Sequence, residues 1–172
     1  MIKNKKIAYL GLGSNIGERI VYIEKVISEL ENSDNINILK KSGIYETEPW
    51  GNIKQDDYLN AVLEIETELG PMELLVELKS LEKKIGRTGN SKWSEREIDI
   101  DILFYEDFII KNENLNIPHS FIEERKFVLV PLAEIAPDFI HPVLKKSAAE
   151  MLSSSEDKLG VKLYGNVKTE AL

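Results

Sequence analysis

Two aspartates, Asp99 and Asp101, stand two residues apart in the stretch SEREIDIDILFYEDF. Ile98, Ile100 and Ile102 alternate with them, which is the period of a β-strand whose faces meet different surroundings. The isoleucines would enter a core while both carboxylates point the same way. Aspartate is a poor strand former, and like charges at neighbouring same-face positions repel. Two readings account for the pair. It is a solvated strand face, or it shares a hard divalent cation such as Mg²⁺, which usually also takes substrate phosphates.

Basic residues cluster just before the pair, in KKIGRTGNSKWSER from Lys83 to Arg96. Arg87, Lys92 and Arg96 are either an ordinary solvated loop or a phosphate clamp, since guanidinium forks match phosphate oxygens. Trp93, in so polar a loop, either docks on the core edge or closes over a flat ligand. Cations beside a metal-binding carboxylate pair describe a phosphoryl-transfer centre, where positioning and charge stabilisation do most of the work. His119 and Arg125 follow in a loop opened by Pro118. A histidine there is a surface residue or a donor to phosphate; His141, before a proline, has no assigned role. Asn60 offers a donor and an acceptor from a run that otherwise alternates apolar residues. It is a polar strand-edge residue, or a group that reads the amide edge of a heterocycle, together with the loop Thr47 to Gly51.

The elements that must position these residues follow from periodicity. Ile7 to Leu12 reads as a strand. GLGSNIG after it reads as a tight strand-to-helix turn, with the wrong glycine spacing for a dinucleotide fingerprint, and no GxxxxGK[ST] occurs in the chain. Ser14 or Asn15 is expected to cap a helix carrying Ile20, Ile23, Val26, Ile27 and Leu30. Ile36 to Tyr45 reads as a second strand, residues 46 to 57 as a loop, and Tyr58 to Glu66 as a third strand. Pro71 opens a helix striped by Leu74, Leu75, Leu78, Leu81 and Ile85 and closed by Gly86. Residues 87 to 95 are expected to form a polar, mobile loop and Glu97 to Tyr105 a strand. A small hairpin over Asp107 to Ile117, a helix from Lys126 to Ile135 and a short helix around Ala148 to Leu152 complete the series. The order β-α-β, β-α-β predicts an α+β fold: a ferredoxin-like split βαβ sandwich, an antiparallel sheet with helices packed on one face. A doubly wound fold is disfavoured, because Ile36 to Glu66 holds two strands with no helix between them.

The 172 residues fit one domain, expected over 1–155, with a tail of uncertain structure over 156–172. An apolar fraction of 42% suffices for a core, and no apolar run approaches the roughly 18 residues of a spanning helix. With no cysteine and no leader pattern, the expected location is the cytoplasm. A net charge of −8 argues against a nucleic-acid groove, though a local basic patch could hold a polyphosphate.

Taken together, AYLGLGSN, YETEPWG, DYLNAVLEIET, LEKKIGR, KWSEREIDIDIL, NIPHSFIEERKFVLVPLAEIAPD and the following HP resemble one family, 6-hydroxymethyl-7,8-dihydropterin pyrophosphokinase of folate biosynthesis. They run in family order from residue 8 to about 142. The combination R-x-I-D-I-D-I-L, then P-H and a downstream arginine, is its most specific part. The resemblance implies a ferredoxin-like fold, ATP as co-substrate, two Mg²⁺ ions and a reduced pterin; the chain is expected to be a monomer whose partners are small molecules. It implies Asp99 and Asp101 as metal ligands and, with Arg87 and Arg96, as catalytic residues. Arg87, Lys92, Arg96, His119, Ser120 and Arg125 match ATP-binding positions, Leu75 and Ile102 an adenine pocket, and Glu82 an acidic helix position near ATP. Trp93 matches the tryptophan of a loop that closes over the site. Tyr58 and Phe127 match pterin-stacking aromatics, and Asn60, Thr47, Pro49 and Trp50 the residues around the pterin edge. Lys92-Trp93-Ser94-Glu95-Arg96 departs from the usual R-W-G-P-R, Gly89 stands where many members have a second arginine, and Ser120 replaces another phosphate-contacting side chain. Two rivals share the pattern: a palm-type nucleotidyl transferase, which also sets carboxylates on a split-βαβ sheet, and a ferredoxin-like regulatory module whose aspartates are only solvated.

Overall fold

The computed structural model describes residues 4–51, 54–88 and 95–166. Its centre is a pair of long strands. β1 (Lys6–Ser14) runs antiparallel to β4 (Tyr58–Thr67), in a register that sets Lys6 against Thr67 and Ser14 against Leu59. β5 (Asp99–Tyr105) pairs antiparallel with the other edge of β1. On the far side of β4 lie β2 (Ile36–Lys41) and β3 (Ile44–Thr47). Helix α1 (Arg19–Glu31) joins β1 to β2, and α2 (Pro71–Ile85) joins β4 to β5. Each crossover therefore skips one strand, which is the interleaved, ferredoxin-like topology expected from the order of elements.

Alternation along the strands decides the faces. Ala8, Leu10, Leu12, Leu59, Ala61, Leu63, Ile65, Ile98, Ile100 and Ile102 are buried together with Ile23, Val26, Ile27 and Leu30 of α1 and Leu74 and Leu78 of α2. The helices were expected on one face only. The other face carries Tyr9, Val62, Leu103 and Phe104, too much apolar surface to leave in water. Helices α3 (Lys126–Ile135) and α4 (Ala148–Ser153) cover it with Val128, Leu129, Leu132, Ala148 and Met151. They reach only part of it, and the site occupies the remainder. A bulge lets both Leu103 and Phe104 join this second core: Leu10 pairs with Ile102 but Tyr9 with Phe104.

Several local expectations change. The strand expected over Ile36 to Tyr45 is two strands, because Ser42 answers β4 with its side chain. Val62 N–H donates to Ser42 Oγ at 2.8 Å, and Gly43 N–H turns away to Glu134 of α3. Neither Ser14 nor Asn15 caps α1: Ser14 ends β1, and Glu18 occupies the cap position without a side-chain bond. α2 behaves as expected. Pro71 stands at its start, Glu73 accepts the Gly70 N–H at 2.8 Å, and Gly86, at φ +126°, ends it in a conformation that favours glycine. The small hairpin is present as β6 (Ile110–Lys111) and β7 (Asn116–Ile117). Within 156–172, where periodicity offered no element, β8 (Val161–Gly165) pairs with the outer edge of β3.

Candidate active site

The site is built on two rungs of the sheet, on the face away from α1 and α2. One rung places Asp101 beside Gly11 and Gly11 beside Val62. The next places Asp99 beside Gly13, Gly13 beside Asn60 and Asn60 beside Tyr45. The two glycines lie within β1, not in the turn expected for GLGSNIG. At Gly13 a Cβ would come within 3.2 Å of Asn60 Oδ1, and at Gly11 within 3.2 Å of Leu103 Cδ2. Lacking side chains, they leave an open floor between the aspartates and Asn60. Above it lies a cavity of about 460 Å³. That is a size suited to a small organic ligand.

Asp99 and Asp101 share a face but not an environment. Asp99 Oδ1 accepts from Arg87 Nη1 at 3.0 Å, and its Oδ2 from Arg96 Nη1 at 2.6 Å. Burial pushes the Asp99 carboxyl up, but Arg96, Lys79 and Arg87 outweigh it and hold it below its ordinary value. Among the described residues Asp101 has no such clamp. Burial first, and then the Asp99 charge, push it up to about 7. Its nearest cationic candidate is His119, with Nε2 at 3.8 Å. His119 Nδ1 donates to the Ser120 carbonyl at 3.1 Å, which turns Nε2 towards Asp101. Burial, then the Arg125 charge, lower the His119 pKa, so the ring stays neutral. The backbone holds it in place: His119 N–H donates to the Leu103 carbonyl at 2.9 Å, just past the bulge.

Arg87 is positioned from behind. Glu82, 2% exposed on α2, accepts from Arg87 Nη1 at 2.7 Å, from Lys79 Nζ at 3.1 Å and from the Ile100 backbone N–H at 2.8 Å. Its carboxylate is thus fully engaged beside β5 and does not face the cavity. Arg96 is fixed by Asn15, whose Oδ1 accepts the Arg96 N–H at 2.7 Å. The side-chain amide of Asn15 also donates to Gln55 Oε1 at 3.3 Å, so this asparagine ties the end of β1 to two loops instead of capping α1.

The opposite wall is aromatic. The Arg125 guanidinium rests 4.6 Å from the Trp50 ring centroid and 5.8 Å from those of Phe121 and Phe127. Trp50 and Phe121 stack with centroids 6.3 Å apart. Asn60 Nδ2 donates to Thr47 Oγ1 at 2.7 Å, a pair buried at the cavity's edge. Arg96 Nε and Arg125 Nε are buried with no hydrogen-bond partner among the described residues. Both arginines line the cavity, and guanidinium groups there suit an anionic ligand.

The structure therefore gathers Thr47, Pro49, Trp50, Tyr58, Asn60, Arg96, Asp99, Asp101, His119, Ser120, Arg125 and Phe127 around one cavity. Arg87 reaches it through Asp99. Leu75 and Ile102 stay with the core under the helices and do not line it. Lys92 and Trp93 lie outside the described residues. Sequence reasoning missed Gly11, Gly13, Gln55, Leu103, Phe121 and Val128, all of which line the cavity. The first two carried a signal, since glycines two apart in a strand leave one face bare.

Among the described residues no group of three ligating side chains gathers around a common point. Two neighbouring carboxylates, one held ionised by guanidinium groups and the other raised by burial and then by its neighbour's charge, nevertheless form an all-oxygen set. Such a set suits a hard cation whose remaining ligands come from phosphates and water.

A ferredoxin-like sheet that sets paired carboxylates and guanidinium groups around an aromatic slot defines a small α+β protein with a site suited to a flat, phosphorylated ligand. Comparisons with known proteins give the particular family. The model of the 7,8-dihydro-6-hydroxymethylpterin-pyrophosphokinase family matches residues 9–137. A 2-amino-4-hydroxy-6-hydroxymethyldihydropteridine pyrophosphokinase of Aquifex aeolicus is 49% identical over 83% of this chain and 88% of its own length. One of Bacillus subtilis is 39% identical over 92% and 90%. The chain belongs to this family. A Plasmodium falciparum HPPK-DHPS crystal structure superposes at a TM-score of 0.70 with 19% identity, over 87% of this chain and 42% of that one, and supports the fold.

Proposed function

We infer that this cavity is where the chain acts as a pyrophosphokinase, moving the β,γ-pyrophosphate of ATP to the hydroxymethyl oxygen of 6-hydroxymethyl-7,8-dihydropterin and releasing AMP, in folate synthesis. The observation that carries the assignment is the convergence of Asp99, Asp101, Arg96 and Arg125 on one cavity whose opposite wall is aromatic. The pterin ring lies between Tyr58, Phe127 and the Pro49–Trp50 wall, its amide edge against Asn60 and Thr47. Arg96, Arg125, His119 and Ser120 receive the phosphates. Arg87 holds Asp99 ionised and oriented.

Asp99 and Asp101 would hold two Mg²⁺ ions. Bound there, the metal neutralises phosphate charge and lowers the pKa of the attacking hydroxyl. The chain's own part is alignment of hydroxyl, β-phosphorus and leaving oxygen. Arg96 and Arg125 then stabilise the charge that develops in transfer, at no cost of reorganisation, because their positions are set before substrate arrives. Neutral His119 adds no net charge; its Nε2 offers an acceptor to a hydroxyl. We place the reaction in the cytoplasm, carried out by a monomer.

The test is chemical. Purified protein is expected to release AMP from ATP only when the hydroxymethyl pterin and Mg²⁺ are both present. AMP release without pterin, or none with both, overturns the assignment.

A further inference from the structure

We propose that the C-terminal segment Asp157–Gly165 is a positioning element for the pterin side of the cavity, acting through the start of α3 and the end of β3. It lies beyond the residues matched by the family model and contributes no residue to the cavity lining. The proposal rests on the reading of this cavity as the pterin site.

The first contact is made by Asp157. Its Oδ2 accepts the backbone N–H of Lys126, the first residue of α3, at 3.0 Å. Its Oδ1 accepts the Leu159 N–H, also at 3.0 Å, so the carboxylate is fixed from both ends. The first N–H groups of a helix have no partner within it, and negative charge is favoured beside them. α3 supplies neither for itself: Arg125, at its cap position, makes no side-chain cap bond, and the first turn holds no acid. Asp157 therefore acts as a cap brought from another part of the chain. It grips the helix between Arg125 and Phe127, two residues that line the cavity.

The second contact is β8. Val161 stands opposite Thr47, Lys162 opposite Glu46 and Leu163 opposite Tyr45. β3 is four residues long, and β4 pairs with only Tyr45 to Thr47 of it. Without β8 it would be a short outer strand, prone to fray at the end that bears Thr47. Thr47 is the residue whose hydroxyl holds Asn60. Leu163 also seats against Gly43, where a Cβ would come within 2.9 Å of Leu163 Cδ1. One short segment thus holds both walls of the slot, the aromatic wall through Lys126 and the polar wall through Thr47.

Steady-state kinetics in the full-length chain separate this role from general stabilisation. Asp157→Ala and Leu163→Gly are each expected to raise the KM for the pterin roughly three- to tenfold, the range one hydrogen bond or one packing contact supplies. The KM for ATP at saturating pterin is expected to move less than twofold in Leu163→Gly, which acts through Thr47. In Asp157→Ala, which also touches the helix start beside Arg125, it is expected to move by less than the pterin KM. Asp157→Asn, which keeps an oxygen for the Lys126 N–H, is expected to recover most of the loss. Asn60→Ala serves as the control for the site. If it leaves the pterin KM unchanged, the cavity is not the pterin site and the underlying reading fails. If it raises that KM while Asp157→Ala and Leu163→Gly do not, the positioning role alone fails. Equal loss for both substrates, or a variant too unstable to assay whose Asn counterpart shows no recovery, overturns it as well.

Discussion

At the scale of single residues, the informative contrast is between Asp99 and Asp101. Strand alternation alone put both on one face, and that much was readable from SEREIDIDIL. Their inequality was not, because it depends on Arg87, twelve residues from Asp99, and on Glu82 behind it. Removing each carboxylate should therefore do different things. Asp99→Ala takes an ion-pair partner from each of two largely buried guanidinium groups, of which Arg87 keeps Glu82, and is expected to cost about 3 kcal/mol of stability. Asp101→Ala removes the carboxylate that burial and repulsion disfavour and should leave stability equal or higher. Both should lower turnover by roughly 10²-fold or more. Paired thermal melts and assays check this; equal destabilisation by the two variants would mean that the clamp on Asp99 does not matter.

At the scale of elements, the joint between α2 and β5 does most to set the site. β5 is the outer strand of its side of the sheet, and Glu82 bonds the Ile100 N–H beside it. A helix carboxylate thereby sets the height of the strand that carries both aspartates. Glu82→Ala leaves the Ile100 N–H and Arg87 without that acceptor and is expected to cost about 3 kcal/mol, with a parallel loss of turnover. Glu82→Gln keeps an acceptor for Ile100 but gives up the charge facing Arg87 and Lys79, so it should fold better than Glu82→Ala while remaining impaired in catalysis. Chemical denaturation with the assay beside it decides. If Gln matches the parent in turnover, the charge contributes nothing to positioning Arg87. The elements themselves were mostly legible, because Leu74 and Leu78 or Leu59, Ala61 and Leu63 recur at unmistakable periods. β8 was not legible: Val161–Gly165 is an outer strand without a buried face, so its residues show no alternation. The break between β2 and β3 escaped as well, since it turns on one Ser42 hydroxyl standing in for a strand partner.

At the scale of the whole molecule, one sheet is buried on both faces, and the second core ties the C-terminal third to β5. His141 sits in that tie, 5% exposed, its ring edge-on to Phe104 at 5.5 Å. Nδ1 accepts the N–H groups of Val143 and Leu144, both at 3.1 Å, so the folded chain needs it unprotonated. Burial pushes its pKa down, against a smaller opposing pull from Glu123. The sign follows from linkage. In the unfolded chain the ring titrates near its ordinary value of about 6.5. The stabilisation is then complete above that pH and is lost as pH falls through the lower folded value, at up to about 1.4 kcal/mol per pH unit. Asp101 works in the opposite sense, since its raised pKa favours the folded state as acidity increases. A comparison between the parent and His141→Asn cancels that contribution. Asparagine offers an oxygen to the same two N–H groups but does not titrate. The stability of the two proteins should run parallel above pH 7 and diverge below about 6.5, with the parent falling faster. Melts at half-unit steps from pH 7.5 to 5 measure the divergence, and curves that stay parallel throughout would show that His141 is protonated in the folded chain at no cost.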